Sequence, residues 1–185
     1  MSTNITSTNP VVQAILTGKA PAAARMAAAR GLLPLPQADL LEVLVALRRS
    51  ETEEVAQAAE KTLHSQEPES LLEVAAATET APAVLAFIAT FDAAGRQVHE
   101  AVTLNQNTPY SAIASLAAAT ADGGLLELIV INQQRLIQAP EIIEAVIANP
   151  ARTPEAERRA RETKREFVEK ERGAQQIAEE LKVRG

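Results

Sequence analysis

The chain has 185 residues, 46% hydrophobic and 23% charged, with no Cys, no Trp and a net charge of −6. Ala supplies 37 residues and Leu, Ile and Val another 43, whereas the aromatics are only Phe87, Phe91, Tyr110 and Phe167. Ala favours helices over strands, which argues against an all-β fold, and zero Cys removes disulfides, thiolate nucleophiles and Cys-bound metal clusters.

In chain order, residues 1–10 are rich in Ser, Thr and Asn and read as a disordered lead-in. No positive region followed by an apolar run marks a secretory signal there. Short helices are then expected over 11–16, 21–31, 37–49, 51–64, 68–78, 82–91, 96–104, 109–119, 125–136 and 140–148. A long run follows from Pro154 to about Lys182. Pro21, Pro36, Pro68, Pro82, Pro109, Pro140 and Pro154 stand at or near these starts, because a first-turn position needs no N–H. Thr108 and Thr153 are candidate caps, and Ser50 with Glu53 fits a capping box. Asp122, followed by two glycines, opens the run from Leu125.

The helices differ in pattern. Residues 37–49 carry Leu40, Leu41, Val43, Leu44, Val45 and Leu47, apolar on nearly all sides, so that helix should be sandwiched. Residues 51–64 carry a narrow stripe of Val55, Ala59 and Leu63 and should face solvent elsewhere. The final run pairs Glu155 with Arg159, Glu157 with Arg161 and Glu166 with Lys170 at i,i+4. A sparse stripe of Ala156, Ala160, Phe167, Ala174, Ile177 and Leu181 follows one side, interrupted by Gly173.

A theme recurs: helix, Asn, short polar turn, Pro, helix. It appears at Asn105, Thr108 and Pro109, at Asn132 and Pro140, and at Asn149, Thr153 and Pro154. The Asn105 to Pro109 turn and its variant at Asn149 to Pro154 resemble the turns of leucine-rich-repeat-variant proteins. The run from Glu51 through Val55 to Ala59 resembles the second helix of a HEAT repeat. The resemblance covers roughly residues 37–154. It implies an α-solenoid of stacked short helices and a binding or scaffolding role rather than catalysis. The Cys-bound cluster that accompanies some variant leucine-rich repeats has no counterpart here.

Chemistry-bearing patterns are sparse. His64 ends a helix, where a cation suits the exposed carbonyls. His99 stands beside Glu100, but Thr103 occupies the place of a second His ligand, so no metal site is expected. Gly-x-Ser-x-Gly and glycine-rich phosphate loops do not occur, so neither a catalytic residue nor a cofactor is expected. Asp92 and Asp122 sit in turns and should bond backbone.

The polar turns are more informative. Asn105, Asn107, Tyr110, Gln133, Gln134 and Arg135 are the candidate partner-binding residues. Their amides either tie down neighbouring backbone or face a partner. Residues 1–151 hold 8 Lys or Arg against 16 Asp or Glu, whereas 152–185 hold 10 against 8. An acidic body argues against nucleic acid, and no apolar stretch is long enough to span a membrane.

The expectation is therefore an all-α, right-handed irregular α-solenoid of stacked short antiparallel helices with a long charged C-terminal helix. It divides into a lead at 1–10, a helical-repeat domain at 11–153 and a tail at 154–185. The expected function is a cytoplasmic, non-enzymatic interaction or scaffold protein whose partner is another protein. Self-association through the C-terminal helix is an open alternative. So are an accessory or regulatory subunit of an enzyme complex and, least favoured, a helical-bundle enzyme using carboxylates.

Overall fold

The computed structural model describes residues 6–184; the side chains of 168, 171 and 176–184 lie outside the described set. Among the described residues the chain is all-helical, with twelve α-helices, one 3-10 turn and no strand. It divides into two compact units, Met1–Ala112 and Ile113–Gly185. The boundary falls inside one helix.

The first unit holds α1 (Pro10–Leu16), α2 (Ala22–Ala29), α3 (Gln37–Leu47), α4 (Glu53–His64), α5 (Pro68–Ala76), α6 (Pro82–Ala89) and α7 (Arg96–Leu104). α3 packs against α1, α2, α4, α5 and α6. Its apolar surface on nearly all sides explains that central place: Leu41, Val43, Leu44, Val45 and Leu47 are all buried. α4 buries only Val55, Ala59 and Leu63, the stripe its sequence shows. α5, α6 and α7 pack on one another.

Some starts differ from expectation. α4 begins at Glu53, and the backbone N–H of Thr52 donates to Ser50 Oγ at 3.2 Å, so Ser50 makes a local turn rather than a capping box. Pro21 and Pro36 sit one position before their helices, while Pro68, Pro82 and Pro140 occupy the first turn. The lead-in is ordered from Thr6 onward. The backbone N–H groups of Thr6 and Ser7 donate to the Glu42 carboxylate at 2.7 and 3.1 Å, and Asn9 Oδ1 accepts from Val11 N to cap α1. Those bonds compensate a carboxylate buried on the central helix. Residues 1–5 of the lead lie outside the described residues.

α6 and α7 are joined through a 3-10 turn at Asp92–Ala94 and Gly95. Gly95 has φ 83° and ψ 169°, a conformation essentially confined to glycine. Phe87 and Phe91 stack with centroids 5.4 Å apart just before it, and the His64 ring meets Phe91 edge-on at 5.2 Å.

α8 (Tyr110–Ala119) carries the unit boundary. The second unit then holds α9 (Gly123–Ile131), α10 (Gln133–Gln138), α11 (Pro140–Ala148) and α12 (Pro154–Arg184). The run expected as one helix over 125–136 breaks at Asn132, whose ψ of 80° is non-helical and whose Oδ1 accepts from Arg135 N at 3.0 Å. A side chain that offers the backbone an alternative acceptor ends one helix and caps the next.

α12 packs against α9, α10 and α11. Its apolar stripe is real near the start: Ala156 and Ala160 are fully buried, with Thr163 beside them and Phe167 half-buried. Ala174 is exposed, and the side chains of Ile177 and Leu181 lie outside the described residues. The helix runs through Gly173 without a break.

Candidate functional site

The asparagine turns are built alike. Asn105 ends α7 at φ −71°, ψ 123°, and Asn149 ends α11 at φ −71°, ψ 124°. In each, Oδ1 accepts the backbone N–H two residues on, from Asn107 at 3.0 Å and from Ala151 at 2.7 Å. In each, Nδ2 reaches back about thirty residues to an earlier turn. Asn105 donates to the carbonyls of Ala75 and Ala77, both at 2.9 Å. Asn149 donates to Ala117 at 2.7 Å and Thr120 at 2.8 Å. An amide carries both donors and acceptor, so one side chain closes its own turn and ties it to another. Two threonines repeat a second bond: Thr80 Oγ1 donates to the Val74 carbonyl at 2.5 Å and Thr108 Oγ1 to that of Val102 at 2.6 Å. Thr153 caps α12, accepting from Ala156 N at 3.1 Å while donating to Glu127 at 2.6 Å.

The six candidate residues divide between the units. In the first, Asn105 and Asn107 spend their amides on backbone, Asn107 donating to the Thr78 carbonyl at 2.5 Å, and Tyr110 is 39% exposed. In the second, Gln133 and Gln134 are exposed on α10. Arg135 is 4% exposed, so it is not the surface residue its sequence neighbourhood implied. The capped turn at Asn132 rotates its side chain inward beside Leu136.

Around Asn105 the first unit opens a groove of about 590 Å³ lined by Ala76, Thr78, Ala101, Leu104, Asn105 and Asn107 among others. Leu104, the last residue of α7, is 66% exposed. Sequence reading missed it. The signal was phase: Leu104 lies off the face that Val98 and Val102 bury.

The remaining polar candidates serve the backbone. Asp122 Oδ1 accepts from Gly124 N at 2.9 Å and Leu125 N at 3.2 Å, capping α9. His64 Nδ1 lies 2.8 Å from the Glu60 carbonyl, and His99 Nε2 lies 3.1 Å from that of Phe91, so each ring donates there. Among the described residues no group of three His, Cys, Asp or Glu is placed to hold a metal ion.

The strongest electrostatic perturbation opens α12. Hydrogen bonds from Arg158 and then Arg159 hold the Glu155 carboxyl down at about 2, against a usual 4.5. Arg161 and then Arg152 lower Glu157 likewise. Arg158 bridges Glu155 and Glu162, both at 2.8 Å, and Lys164 reaches Glu144 of α11 at 2.6 Å. The pairs Glu155–Arg159 and Glu157–Arg161 form at 2.6 and 2.7 Å, whereas no ion pair joins Glu166 to Lys170.

Comparison with known protein families, curated proteins and solved structures finds no match to this chain. No helix among the described residues is long and apolar enough to cross a membrane.

Proposed function

We propose that the chain is a non-enzymatic protein–protein interaction module of α-solenoid type, and that the groove beside Leu104 is its docking surface. One observation carries the reading: a large apolar side chain, 66% exposed, stands in a groove where the Asn105 and Asn107 amides are already bonded to backbone. A surface fixed in this way loses little entropy when a partner binds. Covering the Leu104 side chain with an apolar partner group removes apolar surface from water, which is favourable. The matched asparagine turns support the helical-repeat reading, since each ties a turn to one about thirty residues earlier.

Affinity capture from native-cell extract tests it, comparing the wild-type chain with Leu104→Ser. The expected result is a specific protein retained by the wild type and lost with the variant. Equal retention by both, or none by either, would sink the proposal.

A further inference from the structure

We infer that the Leu104 groove takes a basic peptide segment, one that sets an aliphatic residue beside Leu104 and a Lys or Arg against a neighbouring acidic groove. The inference rests on the interaction reading and names the chemistry of the partner.

Alternate residues of one stretch line the two grooves. Ala76 and Thr78 face the Leu104 groove, whereas Ala77, Glu79 and Thr80 face a second groove of about 650 Å³. The second is also lined by Asp39 and Glu42. No Lys, Arg or His lines either groove among the described residues. Glu42 already accepts two backbone N–H groups. Asp39 accepts a long hydrogen bond from the neutral Asn9 amide at 3.5 Å, and among the described residues no cation pairs with Asp39 or Glu79, so both keep a net negative charge beside the groove. The one Arg of α7, Arg96, lines neither groove and is paired with Glu100 at 2.8 Å. The first unit as a whole has seven Lys or Arg against twelve Asp or Glu.

Charge complementarity then selects the occupant. An acidic segment would set like charges together, at a cost that grows as the interface excludes water. A wholly apolar one would leave the carboxylates facing a dry surface without partners. An aliphatic residue with an adjacent cation satisfies both grooves. A metal ion does not fit, because the carboxylates are not placed as a ligand set.

The test uses fluorescence anisotropy on the full chain with short labelled peptides. They share one Leu pattern and carry Lys, Gln or Glu between the leucines. The Lys peptide should bind about tenfold tighter than the Gln peptide and weaken with added salt. Leu104→Ser should remove its binding. The double variant Asp39→Asn with Glu79→Gln, folded by circular dichroism, should reduce the Lys peptide to the level of the Gln peptide. Equal binding of the Lys and Gln peptides, an unaffected double variant, or no binding at all would each overturn the inference. A native protein captured through Leu104 would then still support the interaction reading, so the two failures are separable.

Discussion

Asn149 joins two turns of the second unit through one side chain. Its buried Nδ2 donates at short range to the Ala117 and Thr120 carbonyls and lies 3.4 Å from that of Ala118, so Asn149→Ala removes the donor from all three. A loss of about 1–3 kcal/mol is expected by chemical denaturation. Asn149→Asp should be no milder, because a carboxylate cannot donate to those carbonyls. Glycine sites offer a paired test. A Cβ at Gly123 would meet Thr153 Cγ2 at 2.7 Å and the Ala151 carbonyl at 2.9 Å, whereas one at Gly173 would meet nothing within 4 Å. Gly173→Ala should therefore raise helicity by the usual preference of about 1 kcal/mol. Gly123→Ala, at the first position of α9, should lower the melting temperature because its Cβ meets the Thr153 side chain and the Ala151 carbonyl. The sequence places Gly173 in a helical run and Gly123 in the turn before one, and the clash at Gly123 depends on a neighbour about thirty residues away.

At the scale of the element, α12 is part of the second unit's packing. Ala156, Ala160 and Thr163 are buried, and the helix touches α9, α10 and α11. Truncation after Thr153 should abolish cooperative melting of that unit, followed by hydrogen exchange at the α9 and α11 amides. Truncation after Arg172 removes no buried side chain among the described residues and should leave those amides protected. The charge network at the start of α12 has its own pH signature. Glu155 is lowered from 4.5 to about 2 by Arg158 and Arg159, so its ionised form favours the folded helix. That contribution is full above pH 4.5 and is lost as pH falls through about 2. Carboxyl NMR should show Glu155 titrating near 2, moving back toward 4.5 in Arg158→Gln with Arg159→Gln. An unmoved midpoint would contradict the assigned cause.

At the scale of the whole molecule, helical class was legible because composition and periodicity act locally. α3 announced its central place through apolar residues on every side, and α4 its half-exposed one through a three-residue stripe. The break at Asn132 was not legible, since the apolar run around it continues while a single side-chain bond redirects the backbone. The site was half legible. Asn105 and Asn107 drew notice as amides that either tie down backbone or face a partner, and the carbonyls that engage them lie 28 to 30 residues earlier, beyond the reach of a local pattern. Arg135 read as surface because charge usually is. Leu104 was not among the candidates, because nothing in its residue type marks a site. At the end of α7 one residue of rotation separates the buried Thr103 from the exposed Leu104.

The most direct measurement is photo-crosslinking in the native cell, with the reactive side chain at position 104 or, as a control, at Leu32. Leu32 is 70% exposed but lines neither groove. The account predicts a discrete protein adduct at position 104 and none at position 32. Equal labelling at both positions, or none at 104, would contradict it.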